Sequence, residues 1–364
     1  MISKQYSLDV LMRIVAVWGL FALVLLTTTQ ANAHNIPSVH GTLAEKNLAL
    51  SSPLTLSWSP DGKKIAVGEK QGGQIFTADF QNAVALELAG DDQYIRSIAW
   101  SPDGRLLAGA VDDNIYLWNA NTVKQAALLT GLTSVIASVA WKPDGSAIAA
   151  GATGLGKGDN DQVIRIWRTD NYQVLKVLKD QGFEQIMTVS WSPDENRIVD
   201  NGPPAGVRIW DANTDQILFY LRKDSGVHCA AWSPVGDFIA TAGAGGPKEL
   251  APRFWDLQLW DARTGKLVST FGDNLADFMT VKWNPKGTQL ATADDDGTIT
   301  IWDAATKLAV AQFPNNDFDF GTNILVDFLT WSPDGQKVAV VTGDSHLRIW
   351  DVFSKKLVTD FSNQ

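Results

Sequence analysis

The chain has 364 residues, of which 45% are hydrophobic and 19% charged, and its 40 acidic and 30 basic side chains give a net charge of −10. This composition excludes a wholly disordered chain and a multi-span membrane protein, and the acidic balance argues against nucleic-acid binding through a basic surface. A single cysteine, Cys229, excludes an intrachain disulfide and a cysteine zinc site, and four scattered histidines make no metal cluster.

Residues 1–33 read as an export signal. Lys4 and Arg13 lie in a polar leader, Ile14 to Leu26 is an uninterrupted apolar or glycine run, and Ala31-Asn32-Ala33 follows. That order is the charged, apolar, A-x-A pattern of a cleavable secretory signal. The apolar run falls short of the roughly 20 residues that span a bilayer. Cleavage after Ala33 is therefore expected, leaving residues 34–364 periplasmic or extracellular, with no stable membrane insertion. The alternative is an uncleaved signal anchor that tethers the protein to a membrane.

The remainder repeats. Trp-Ser-Pro or a near variant occurs at Trp58, Trp100, Trp141, Trp191, Trp232, Trp283 and Trp331. Asp-Gly follows in Asp61-Gly62, Asp103-Gly104, Asp144-Gly145 and Asp334-Gly335. Ser, Pro and Gly at these offsets favour a type I turn, so each motif predicts a tight corner between strands. A second landmark is an alternating run such as Ile164-Arg165-Ile166-Trp167, Ile299-Thr300-Ile301-Trp302 or Leu347-Arg348-Ile349-Trp350. Period-2 alternation makes each a strand with one packed face. A polar turn and another apolar strand complete the unit.

Each unit thus has four short strands, a to d, and a unit of this size cannot bury a core alone. Seven of them, starting near residues 54, 95, 136, 186, 227, 278 and 326, must stack, which predicts an all-β, seven-bladed propeller of four-stranded antiparallel blades over 34–364. The endings Ile209-Trp210-Asp211, Leu259-Trp260-Asp261, Ile301-Trp302-Asp303 and Ile349-Trp350-Asp351 resemble those of WD-repeat propellers, and the resemblance runs from about residue 43 to 361. Unit 1 ends Ile75-Phe76-Thr77, unit 2 Trp118-Asn119 and unit 3 Trp167-Arg168. The family's Gly-His pair is absent from every unit, so the His-centred hydrogen-bond network that the resemblance would imply is expected to be missing.

The residue three before each first Trp is small or hydroxylic (Thr55, Ser97, Ser138, Thr188, Cys229, Thr280) except for Phe328. Cys229 accordingly reads as a small buried filler rather than a reactive thiol. The seventh d strand is expected to be Lys356 to Phe361, by its likeness to residues 266–271; the alternative is the N-terminal segment Thr42 to Leu50.

Loop length varies on one rim only, the one carrying the b–c and d–a connections. Unit 3 has an insertion from Gly151 to Gln162 containing Asp159 and Asp161, and unit 5 has one from Gly243 to Asp256 containing Arg253, Phe254 and Trp255. The link into unit 7 contains Asp317, Phe318, Asp319 and Phe320. These nine residues are the candidate partner-binding site, because variable loops on a scaffold carry function and exposed aromatics anchor partners. By sequence, this rim holds 21 acids against seven bases, and the other rim 14 against 15. An acidic face steers cationic partners; the competing reading is a set of turn-forming aspartates.

The sequence contains no nucleophile elbow, zinc-protease helix or phosphate loop, and Asp159-x-Asp161 lacks the downstream glutamate of a calcium loop. No enzyme activity, catalytic residue, metal or cofactor is expected. The expected function is an exported, monomeric, protein-interaction scaffold whose partner has a basic surface. The alternative is a propeller enzyme or lectin acting on a small ligand at the central channel.

Overall fold

A computed structural model of the chain describes residues 50, 53–88, 93–156, 163–179, 185–202, 206–222, 226–243, 257–271, 278–294, 297–313, 328–342 and 346–361. All of them belong to one compact unit, Lys46–Asp319 with Leu325–Gln364. Within it, seven four-stranded sheets are each antiparallel and follow chain order a-b-c-d. Blade 1 comprises Pro53–Trp58, Lys64–Glu69, Gly72–Thr77 and Ala83–Ala85. The a strands of blades 2 to 7 are Ile95–Trp100, Ser134–Trp141, Thr188–Trp191, Val227–Trp232, Phe278–Trp283 and Leu329–Trp331. In blade 7, Lys356–Phe361 pairs with Leu347–Asp351 in the register Leu347↔Phe361 and Ile349↔Thr359, so the C-terminal strand is the seventh d strand. Of the segment Thr42 to Leu50, only Leu50 is described, and it is buried.

The a–b corners form as their sequence dictates. Gly62 N–H donates to Ser59 C=O at 2.9 Å, Ser59 Oγ donates to Asp61 Oδ1 at 2.7 Å, and Lys64 N–H donates to Ser59 Oγ at 2.9 Å. The same bonds recur at Ser101/Asp103/Gly104 and Ser332/Asp334/Gly335. Each corner glycine has a positive φ, +70° at Gly62, which suits a residue without Cβ. The corners also touch around the ring: a Cβ on Gly62 would stand 3.7 Å from Pro333 of blade 7, and one on Gly104 3.7 Å from Pro60 of blade 1. Gly145 faces Pro102, Gly236 faces Pro193, Gly287 faces Val235 and Gly335 faces Pro285 in the same way.

Two departures from the corner pattern compensate each other. Blade 3 has Lys142 where five other blades have serine and blade 6 has Asn284, and blade 4 has Glu195 in the left-handed region (φ 65°) where the others have glycine. Glu195 Oε2 lies 3.0 Å from Lys142 Nζ, an ion pair that joins the two corners.

The c–d turns use the aspartate of each Trp-Asp ending. Asp303 Oδ1 accepts from Ala305 N–H at 3.1 Å and Thr306 N–H at 2.7 Å, and Asp211, Asp261 and Asp351 do likewise. Backbone donation by Thr306 holds the Asp303 carboxyl below the usual carboxylate range. In blade 2 Asn119 does the same job, accepting from Asn121 and Thr122 N–H at 3.0 Å. Each of the seven turns carries one positive-φ residue, and only Gly265 among Phe80, Val123, Tyr172, Asp215, Gly265, Lys307 and Lys355 is glycine.

The core lies between blades. Ala108, Ile115, Leu117 and Leu129 of blade 2 form one cluster with Ile136, Val139, Ile148 and Trp167 of blade 3, and Val199, Val207 and Ile209 of blade 4 form another with Ala230, Trp232 and Trp260 of blade 5. Six of the seven first-strand tryptophans are buried and Trp141 is half-buried. Strand alternation thus presents one apolar face to each neighbour, and burial is completed only by stacking.

Candidate interaction surface

The nine residues singled out from sequence, Arg253, Phe254, Trp255, Asp317, Phe318, Asp319, Phe320, Asp159 and Asp161, lie outside the described residues. The strands that flank them are described. Phe238–Gly243 and Gln258–Asp261 flank the blade 5 segment, and Ala309–Phe313 and Leu329–Trp331 flank the link into blade 7. In an antiparallel blade with tight a–b corners, b–c and d–a connections leave from the opposite rim.

Two expectations for this rim change. The blade 3 insertion does not begin at Gly151: the b strand continues from Ala147 to Gly156, with Gly151 opposite Ser138, Ala152 opposite Ile136 and Gly156 opposite Ser134. Small residues let this stretch pair through two irregularities in register. Five of the 21 acids counted on this rim are described, and two of them lie off its surface. Of the five, Glu69 and Asp200 are buried within b strands, Asp113 and Asp294 are half-buried and Asp112 is exposed. Glu69 accepts from Gln74 Nε2 at 2.9 Å, and Asp294 caps a turn, accepting from Thr298 N–H at 2.7 Å. Asp200 meets Arg208, directly opposite on the c strand, with Arg208 Nη2 2.6 Å and Nε 3.1 Å from its two oxygens. Register decides these cases: Glu69 is the last residue of its b strand and Asp200 lies two residues inside the end of its own, and both are buried in the blade stack.

A half-open cavity of about 310 Å³ is lined by residues of blades 3 to 7, including Ser138, Thr188, Ser190, Thr330, Trp331 and Lys282. No carboxylate and no histidine is among its lining residues. His228, on the a strand of blade 5, is pushed down to about 4 by desolvation, so at neutral pH it is uncharged. Among the described residues no group of three or more His, Cys, Asp or Glu could hold a metal. Cys229 is buried, lies 3.6 Å from Val281 C=O and accepts from Thr280 Oγ1 at 3.8 Å, in the slot where neighbouring blades use Ser or Thr.

The inter-blade hydrogen bonds give that slot its meaning. Val139 N–H donates to Ser97 Oγ at 3.2 Å, Val189 N–H to Ser138 Oγ at 3.2 Å, and Ala230 N–H to Thr188 Oγ1 at 3.3 Å. Each small hydroxyl accepts from the a strand of the next blade. In blades 5 and 6 the c-strand indole is satisfied within its own blade: Trp260 Nε1 donates to Thr241 Oγ1 at 3.0 Å and Trp302 Nε1 to Thr292 Oγ1 at 2.9 Å.

One exposed residue escaped the sequence reading. Phe353, in the c–d turn of blade 7, is 94% exposed. The same turn position holds Asn213, Arg263 and Ala305 in blades 4 to 6, so the deviation was visible in the aligned units. Loop length, which is nearly uniform in the c–d turns, carries no signal of it. Exposed Lys355, Lys356 and Leu357 flank it.

The WD domain, G-beta repeat (WD40) pattern matches residues 84–119, 124–168, 216–246, 265–303 and 321–351, together half of the chain. The chain is 25% identical over 219 residues to the APC/C activator protein CDC20 of Saccharomyces cerevisiae, covering 60% of this chain and 26% of that protein. It is 24% identical over 256 residues to Periodic tryptophan protein 2 of Arabidopsis thaliana, covering 68% and 26%. Against the F-box-like/WD repeat-containing protein TBL1X of Mus musculus it is 27% identical over 145 residues, covering 36% and 26%. The matched region thus spans about a quarter of each of these relatives. A chain of the crystal structure of the Mitotic Checkpoint Complex superposes with a TM-score of 0.70 at 19% identity, covering 89% of this chain and 100% of that one, which establishes likeness of fold. With seven closed blades, the recurring Trp-Asp turns and this pattern over half its length, the chain belongs to the WD40 family of WD domain, G-beta repeat proteins.

Proposed function

We propose that this protein is a non-catalytic interaction scaffold that holds a protein partner on the rim opposite its a–b corners. The observation that carries this reading is the division of labour between the rims. The a–b corners touch one another around the ring, whereas in the sequence the long b–c segment of blade 5 and the link from blade 6 to blade 7, with Arg253, Phe254, Trp255, Asp317, Phe318, Asp319 and Phe320, break the length of the repeat. A rigid ring carrying variable loops is a binding architecture. The relatives add weight, since one is named as an activator of APC/C and the matched structure is a multi-protein complex.

The double change Trp255→Ala with Phe318→Ala should abolish capture of the partner recovered with the mature protein. Stability should stay within about 1 kcal/mol, as is usual for surface sites. Unaltered capture, or severe destabilisation, would remove the site from this rim. A second reading rests on Phe353, whose exposure favours an anchor on the opposite rim. Phe353→Ala alone should then abolish capture. The Ala31-Asn32-Ala33 terminus of the leader supports export with cleavage after Ala33, which N-terminal sequencing from the native host tests directly. Intact Met1 on a membrane-bound species would refute it.

A further inference from the structure

Six of the seven blade junctions are bridged by hydrogen bonds of two repeating kinds. In the first, the indole of a first-strand Trp donates to the a-strand carbonyl of the preceding blade: Trp100 to Ser57 at 3.0 Å, Trp141 to Ala99 at 3.0 Å, Trp283 to Ala231 at 3.2 Å and Trp331 to Lys282 at 3.1 Å. In the second, the small hydroxyl three residues before the Trp accepts from the following blade, which covers the junctions 2/3, 3/4 and 4/5. The junction between blade 7 and blade 1 has neither. Trp58 Nε1 is buried without a partner, and the slot in blade 7 is Phe328, which has no hydroxyl. Apolar contact replaces them. The Phe361 ring, on the last strand, lies 5.6 Å from Phe76 and 5.7 Å from Phe80 of blade 1, edge-on to the first and stacked on the second. Among the described residues, no strand is shared across this junction: blade 7 is completed by its own C-terminal strand.

We propose that the blade 7–blade 1 junction is the seam at which the ring opens, with Phe361 as its latch. Consecutive blades elsewhere are joined by the chain itself, so separating them must also stretch a connection; here, among the described residues, side-chain packing around Phe361 opposes separation. Aromatic contact is strong per residue but short-ranged. Once Phe361 withdraws, no oriented hydrogen bond of either kind holds the faces in register.

Thiol labelling of the full chain tests this. Native Cys229 is buried at the junction of blades 5 and 6 and serves as an internal reference. Ala108 packs from blade 2 onto blade 3, and Ala339 holds the same register position in blade 7; both are fully buried. A thiol at Ala339→Cys should react with iodoacetamide about ten-fold or more faster than Cys229 or a thiol at Ala108→Cys, because local opening sets the rate. Adding Phe361→Ala should accelerate position 339 alone, and Phe361→Leu, which keeps most apolar contact, should have a smaller effect. Equal rates at all three thiols would overturn the proposal. So would equal acceleration everywhere by Phe361→Ala, which would report global destabilisation.

Discussion

Blades 4 and 6 hold the same tryptophan in different chemical surroundings. In blade 6, Thr292 lies on the b strand beside Trp302 and accepts its indole N–H. In blade 4 the equivalent position is Asp200, and the side chain it engages is not Trp210 but Arg208. The Arg208 guanidinium lies 4.8 Å from the Trp210 ring centroid, while Trp210 Nε1 has no partner. One change from hydroxyl to carboxylate has therefore redirected the network: a charge in the stack demands a counter-charge before it can serve an indole. Blade 4's b and c strands also fall outside the residues matched by the repeat pattern, whereas those of blade 6 fall within it.

Breaking the ion pair should give the largest effect. Asp200→Ala leaves Arg208 buried without its counter-charge and should cost about 3–5 kcal/mol, read as a lower urea midpoint. Converting the pair to the blade 6 arrangement, Asp200→Thr with Arg208→Thr, should recover more than half of that loss. No recovery would mean that the two blades are not interchangeable solutions. Next in size, Thr292→Val removes the acceptor of a buried indole N–H and should cost about 1–3 kcal/mol, with Thr292→Ser close to wild type.

Titration separates the blades more gently. His228 of blade 5 has a folded pKa of about 4, below its unfolded value near 6.5, so the unfolded chain binds the extra proton between these values. Stability should decline as pH falls from about 6.5 to 4, and His228→Asn should flatten that decline. The turn carboxylates Asp211, Asp303 and Asp351, lowered by backbone donors, then contribute a further loss only below about pH 4. The smallest effect belongs to the c–d turns. Lys355 is exposed at φ 57°, where blade 5 has Gly265, and Lys355→Gly should raise stability by up to about 1 kcal/mol.

The repeat made the fold legible. Trp-Ser-Pro-Asp-Gly names a corner, Ile-x-Ile-Trp-Asp names a strand and its turn, and the likeness of Lys356-to-Phe361 to residues 266–271 identified the closing strand. The slot occupied by Cys229 was legible for the same reason, since a small side chain recurs there. Asp200, Glu69 and Arg208 were not, because a charged residue near a strand end reads as solvent-facing until its register is known. The pairing of Lys142 with Glu195 was equally hidden: each looked like an isolated lapse from the motif, and only the stacking of blades makes them neighbours.

The contacts among the a–b corners have an evolutionary corollary. Because each corner glycine lies against the preceding corner, lengthening any one of them would dislodge the turns on both sides, and the disturbance would pass around the circle. That rim behaves like a meshed gear train, in which no tooth can grow alone. New sequence can be accepted cheaply only where connections do not interlock, so the fold channels insertions toward one face long before selection for any partner begins.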